Sequence, residues 1–344
     1  QKSYNFSFLN PYFTDDGLSL GYNLRWSEFD YSNFNVAQYS TNSGSAQVVL
    51  GIPISEWDSV SAVVGIDSNE ILSVPGSTPE EFNDYLKAVG RRTFHAWRGQ
   101  FAWARDTRND YFMPSRGTYQ RVSAELALPG STVEYYKLEY EYSRYWPLNP
   151  SLILRTGVNL GFGDSYGDPI VRDICWTRPT PPTPTNPNPP PPPPGSDPCD
   201  PTSPDYAETV VADGLPFFEN FYAGGISSGG RVRGFVDNTL GPQVANAFGF
   251  LRPSGGSVKT VGSLELFFPK LFDTNAARIS AFLDFGNVYR DFDSFDASLL
   301  RASTGVALLW RSPMGPIQIS YAFPIKSEDT DRTERLQFSF GGTF

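Results

Sequence analysis

Long apolar runs are missing from this chain: no stretch of about 18 residues is both apolar and free of charge, which excludes membrane-crossing helices. A basic surplus is missing too. The 27 Lys and Arg stand against 37 Asp and Glu, a formal net charge of −10, whereas a nucleic-acid partner calls for clustered cations to meet phosphate. Histidine is nearly absent, and the single one, His95, shares an alternating face with Trp97, Gly99, Phe101 and Trp103. That is a structural, interfacial setting, and no nucleophile motif surrounds it, so enzymatic chemistry is not expected. Metal ligands are equally scarce; Asp329-Thr330-Asp331 reads as a solvated run, and no cofactor is expected. The glycine pairs Gly224-Gly225 and Gly229-Gly230 lead into no helix that would cradle phosphate. Cys175 and Cys199 are the only cysteines. Lying in one loop, they read as a disulfide worth roughly 3 kcal/mol in the chain-entropy model, formed in an oxidising compartment; two free thiols are the alternative. A secretory leader is lacking ahead of Gln1-Lys2-Ser3, as in a processed or truncated product.

What the chain does have is period-two alternation. Leu18, Leu20, Tyr22, Leu24 and Trp26 alternate with Ser19, Gly21, Asn23, Arg25 and Ser27; Ile317, Ile319, Tyr321 and Phe323 alternate with Gln318, Ser320 and Ala322. The segments run about ten residues, the length a tilted strand needs to cross a bilayer. A soluble sandwich alternates as well, but three features favour a membrane barrel. Charges sit inside strands at Arg25, Lys137, Glu139, Arg155, Glu265 and Asp284, which a dry core would reject and a wet lumen accepts. Aromatics gather near strand ends, as at Trp26, Tyr145, Trp146 and Trp310. Connections alternate between short ones, such as Pro53–Asp58 and Ser312–Pro316, and long ones, at Tyr31–Gly44, Ser68–Phe94 and Asp164–Ser257. The expected fold is all-β, a transmembrane antiparallel β-barrel of about thirteen strands in this chain.

The longest connection, 164–257, reads as an extracellular loop that folds back into the lumen. Its part 168–204 is a Pro-rich insertion, with Pro189–Pro194 uninterrupted and extended as polyproline II. Near its end Arg233 lies between Val232 and Gly234-Phe235, whose apolar side chains want burial. A guanidinium taken from bulk water needs carboxylates. Glu265 and Asp284 fit as latch partners, each on the polar face of a strand just beyond the loop. The alternatives are a solvated turn arginine and two acids facing lumen water.

The run Phe217-Phe218-Glu219-Asn220-Phe221-Tyr222-Ala223-Gly224-Gly225, Val232-Arg233-Gly234-Phe235 and Asn238-Thr239-Leu240-Gly241-Pro242 closely resembles the sixth extracellular loop of the outer-membrane assembly barrels, the BamA family. The resemblance implies a sixteen-stranded barrel of which residues 1–344 are a part starting at the fourth strand, with periplasmic POTRA domains absent from the chain. It implies a bacterial outer-membrane location and the folding and insertion of β-barrel proteins. The implied partners are outer-membrane lipids and lipopolysaccharide, unfolded β-barrel substrates, and the lipoproteins of the BAM complex. It also points to the same acids, Glu265 and Asp284, as partners of the loop arginine. A sister translocator of the same superfamily and a passive porin-like barrel are the other readings; POTRA number would mark the first and a steady conductance the second.

The last strand carries a second motif. Leu336, Phe338, Phe340, Gly342 and Phe344 share one face, and Gln337, Ser339, Gly341 and Thr343 the other. An aromatic end on the lipid face resembles the C-terminal signal of outer-membrane barrels. Gly341 and Gly342 weaken the strand end, and a weak lateral seam there would offer unpaired N–H and C=O groups to an incoming strand. The alternative is a closed barrel with two glycines for curvature.

Overall fold

The computed structural model describes residues 2–30, 39–74, 76–174, 208–226, 229–246, 248–272 and 276–341. Its strands, in chain order, are β1 (Lys2–Asn10), β2 (Ser19–Asp30), β3 (Tyr39–Pro53), β4 (Asp58–Ser73), β5 (Thr93–Asp106), β6 (Gly117–Ala127), β7 (Tyr135–Asn149) and β8 (Leu152–Ser165). Four short ones follow, β9 (Ile170–Ile174), β10 (Glu208–Ala212), β11 (Gln243–Ala245) and β12 (Leu251–Pro253). The sheet then resumes with β13 (Val258–Phe268), β14 (Ala277–Tyr289), β15 (Arg301–Ser312), β16 (Gly315–Lys326) and β17 (Leu336–Phe340). One antiparallel 13-stranded sheet takes β1 to β8 and β13 to β17 in sequence order, with β13 pairing directly to β8 across the long insertion.

The sheet is inverted relative to a soluble protein. Along β16 the buried residues are Gln318, Ser320 and Ala322, and the exposed ones are Ile319, Tyr321 and Phe323. Across β13 and β14, Lys259, Ser263, Glu265, Ser280 and Asp284 are buried while Leu264 and Leu283 face outward. Apolar side chains outside and ionic ones inside is the arrangement that lipid and a polar lumen select. Strands of 11 to 16 residues, such as β13 and β4, are long enough to span a tilted path through the hydrocarbon. Among the described residues no helix is long and apolar enough to cross.

Two outer connections differ from expectation. β3 begins at Tyr39, and β4 continues to Ser73, paired without interruption from Tyr39↔Ser73 to Pro53↔Ser59. The loops expected at Tyr31–Gly44 and Ser68–Phe94 are therefore shorter. The outward face of the upper part of this ribbon is largely polar, as where Asn42 Nδ2 donates to Glu70 Oε2 at 3.0 Å, so it projects past the apolar belt, while its inward face buries Tyr39 and Ile71 beside Phe82 and Phe217. The second connection also contains a helix, α1 (Glu80–Val89). Pro79 precedes its first turn, Glu80 and Glu81 oppose the positive end of the helix dipole, and Gly90 closes it at φ 73 with its N–H donating to Leu86 O. Its buried face, Phe82, Leu86 and Val89, packs into the lumen mouth, where the Phe82 and Phe217 rings stack with centroids 4.1 Å apart.

The Pro-rich insertion opens differently from the extended coil expected at 168. Ile170–Ile174 is a strand, paired with Glu208–Ala212 in a two-stranded ribbon. Pro189–Pro194, Cys175 and Cys199 lie outside the described residues. On the short-turn side, the segment between β5 and β6 reaches under the barrel, where Arg278 donates to Pro114 O at 2.8 Å and Arg311 pairs with Asp110 at 3.1 Å.

Candidate functional site

The lumen is occupied by the chain's own loop, Phe217–Pro242. The loop is laced by backbone bonds: Gly224 N donates to Gly230 O at 2.9 Å, Gly225 N to Val232 O at 3.0 Å and Leu240 N to Ala223 O at 3.1 Å. The lacing presents Val232, Phe235 and Leu240 together. All three are fully buried, in a cluster completed by Ala223 and by Val261 and Val288 from the wall. At roughly 1.5–3 kcal/mol for each large apolar side chain buried, this cluster supplies the non-directional part of loop docking. Gly234 holds φ 90, a backbone conformation strained for any L side chain, and a Cβ there would lie 3.1 Å from the Cβ of Ala322, a tight approach to the wall.

Arg233 is held between those apolar neighbours at 0% exposure. Its Nε and Nη2 donate to the two oxygens of Asp284 at 2.7 and 2.9 Å, and its Nη1 donates to Glu265 Oε1 at 2.8 Å. The backbone N–H of Arg233 adds a bond to Asp284 Oδ2 at 3.1 Å, and the guanidinium carbon sits 3.5 Å from the centroid of the Phe282 ring. The wall completes both acids: Ser263 Oγ donates to Asp284 Oδ1 and Ser280 Oγ to Glu265 Oε1, each at 2.7 Å. The strands place these groups by register, since Ser263 pairs across from Asp284 and Glu265 from Phe282. Burial disfavours the charge on Arg233, but Asp284 and then Glu265 outweigh it and hold the guanidinium above its ordinary pKa. A fork on two carboxylates with its remaining faces covered is a structural latch; it offers no group poised for bond chemistry.

A second cluster joins the same loop to a different part of the wall. Glu219, in the short turn Phe217–Glu219, accepts from Arg98 Nη2 at 3.0 Å and from Lys137 Nζ at 3.4 Å. Arg98 also pairs with Asp67 at 2.6 Å and Glu125 at 3.2 Å. Sequence reasoning had Glu219 only inside the family run, and did not single out Arg98. It also passed over Gln337, whose side chain is buried and hydrogen-bonded to the loop backbone at Gly234 and Phe235. Its one available signal was its place on the polar face of β17.

Leu336, Phe338 and Phe340 face outward, Phe338 at 76% exposure. Gly341 ends the strand at φ 73, with its N–H donating to Pro316 O at 2.9 Å. Gly342 and Phe344 lie outside the described residues, so the terminal signal is placed only as far as Gly341. In the run at 329–331, Asp329 and Thr330 are exposed as expected, and Asp331 departs from that state, with a side chain 1% exposed that pairs with Arg301 at 2.9 Å. Arg301, a basic side chain at the start of β15, supplies the reason by drawing Asp331 inward.

An inverted antiparallel sheet whose lumen is filled by an arginine-latched outer loop defines a class: a β-barrel of the bacterial outer membrane with a plugged interior. The chain belongs to the Omp85 superfamily, whose domain matches residues 1–344. Among curated relatives, the outer membrane protein assembly factor BamA of Neisseria meningitidis serogroup B is 29% identical over 374 residues, covering 98% of this chain and 41% of the relative. The BamA of Nitratidesulfovibrio vulgaris is 22% identical over 355 residues, covering 100% of this chain and 36% of the relative. The chain thus spans well under half the length of either. Among solved structures, BamA from Haemophilus ducreyi lacking POTRA domains 1–3 superposes with a TM-score of 0.77 at 26% identity, over 99% of this chain and 62% of that one. CdiB from Acinetobacter baumannii, at a TM-score of 0.51 and 13% identity over 98% of this chain and 49% of that one, shares the fold.

Proposed function

We propose that this chain is the barrel of an outer-membrane protein assembly factor, which folds and inserts other β-barrel proteins into the outer membrane. The observation that carries this reading is the similarity to a BamA over 98% of the chain, the latched loop included. The work is mechanical and needs neither nucleotide nor cofactor. β17 is a short terminal strand of five residues, closed off by Gly341. Among the described residues β17 pairs only with β16, and on this reading its other edge closes weakly in the full-length protein, so that its N–H and C=O groups can take an incoming strand by main-chain hydrogen bonding. Unfolded β-barrel proteins are the substrates on this reading. Lipid and lipopolysaccharide meet the outward belt that includes Leu264, Tyr321 and Phe338. Lipoproteins of a BAM complex would act through periplasmic POTRA domains of the full-length protein.

A passive pore fits less well, because the Phe217–Pro242 loop fills the space that a steady current would need. The test is depletion of the full-length protein from cells while newly made, unrelated barrels are followed by their heat-modifiable migration. Unfolded barrels should accumulate within the depletion period. Continued insertion at the normal rate would end the proposal.

A further inference from the structure

The terminal strand divides its backbone partners between the wall and the loop. Leu336–Phe340 pairs with Ile317–Tyr321, yet β16 itself continues to Lys326, still paired there with β15. One further bond to β16 remains above Leu336, from Ala322 N to Arg335 O at 2.8 Å. Beyond it the chain turns to the loop motif: Glu334 N donates to Gly234 O at 3.0 Å, Val236 N donates to Arg332 O at 2.9 Å, and Phe235 forms a bridge with Thr333. Gln337, the first inward residue of β17, completes the contact with both ends of its amide. Gly234 N donates to its Oε1 at 3.0 Å, and its Nε2 donates to Phe235 O at 2.8 Å. The Ser303 hydroxyl on β15 donates to Arg233 O. The motif's main chain is therefore bound by backbone bonds from the approach to β17 and by the side chains of Asp284, Ser303 and Gln337.

We propose that the latched loop is the upper backbone partner of the terminal strand, with Gln337 as the positioning residue through which loop docking sets the order of β17. The proposal rests on the assembly reading only in taking β17 as the strand at the seam. If the loop leaves the lumen, the Gln337 amide, the Glu334 N–H and the Arg332 carbonyl lose partners together. Of these, Gln337 is 3% exposed while the loop covers it, and undocking trades its two bonds to the loop for bonds to lumen water, losing their net contribution to the order of β17. The latch and the strand edge then loosen as one cooperative unit.

The test is amide hydrogen exchange on the full-length protein in lipid nanodiscs without substrate, read on peptides covering 232–240, 332–340 and, as an internal control, β8. In Arg233→Ala, exchange at 332–340 should quicken about tenfold, the scale of losing a few hydrogen bonds of ordinary net strength, with β8 unchanged. Gln337→Leu should quicken 332–340 alike while the loop keeps its protease resistance, because Arg233 still holds Asp284. Gln337→Glu, which keeps the acceptor for Gly234 N and loses the donor to Phe235 O, should fall between. If Arg233→Ala frees 232–240 and leaves 332–340 at its original rate, the coupling is overturned. If only the Gln337 variants leave 332–340 unmoved, the role of Gln337 is overturned. Since no substrate is present, failure of the insertion assay leaves these outcomes unaffected, and the reverse holds.

Discussion

Two ionic clusters fasten one loop to two stretches of wall with the charges reversed. At the first, the loop gives the cation, Arg233, and β13 and β14 give Glu265 and Asp284. At the second, the loop gives the anion, Glu219, and β5 and β7 give Arg98 and Lys137. Side chains at the first are 0–2% exposed, and both acids carry an extra hydroxyl donor. At the second they are 11–21% exposed, and Arg98 is shared with Asp67 and Glu125. Opposite charges attract more strongly where water is excluded, and only there does removing one partner leave the other stranded. The difference teaches that burial and complete hydrogen bonding, rather than the number of charges gathered, separate a latch from a guide.

The largest effect should come from opening the first cluster on one side. Arg233→Ala or Asp284→Ala is expected to lose about 3–5 kcal/mol of loop docking, the cost of an orphaned buried charge. Limited proteolysis of the folded barrel would report it as cleavage between 217 and 242. Replacing both partners with apolar residues, Arg233→Met with Asp284→Leu, should be milder than Arg233→Ala, because one buried carboxylate, Glu265, then loses its close partner instead of two. The comparison breaks if the single variants are no worse than Glu219→Gln. That change at the second cluster should cost about 1 kcal/mol or less, since Arg98 keeps Asp67 and Glu125. Its effect should also shrink in high salt, which screens part-exposed pairs more than buried ones.

Much of the first cluster was legible because strands have a strict period. Glu265 and Asp284 each fall on the polar, inward side of an alternating strand, and an arginine between Val232 and Phe235 cannot be a solvent ornament once both neighbours are buried. The second cluster was not legible, because Glu219 and Arg98 lie 121 positions apart and no periodicity links a loop acid to a strand base. Gln337 stood on the right face, but a neutral amide reads as ordinary lumen lining; only coordinates show both its ends bonded to one loop. The sheet was read well where lipid enforces alternation and poorly above it. In the Tyr39–Ser43 and Asn69–Ser73 ends of β3 and β4 the outward face carries Ser40, Asn42 and Glu70 in place of lipid-facing apolar residues, and Tyr39 and Ile71 turn inward to a buried cluster, so the pattern fades while the hydrogen bonding continues. The helix α1 carried its own signals, Pro79, Glu80-Glu81 and Gly90, which a search tuned to period two passes over.

The smallest expected effect sharpens the comparison within the first cluster itself. Arg231 is two residues from Arg233 and points toward the same acid, but its Nη2 stands 3.8 Å from Glu265 Oε2, as does Arg155 Nη1. Burial, then repulsion from Arg233 and Arg155, lowers its pKa to about 10. A cation whose folded pKa is depressed is less welcome charged in the folded state than in the open one, so it opposes docking at neutral pH. That strain eases as pH rises through about 10. Arg231→Met removes the repulsion together with a long, weak ion pair. Loop protection in this variant should stay within about 1 kcal/mol of the unaltered chain, measured by the same proteolysis that exposes Arg233→Ala. A loss as large as that of Arg233→Ala would mean that the two arginines work as a pair, and that position relative to Asp284 is not what distinguishes them.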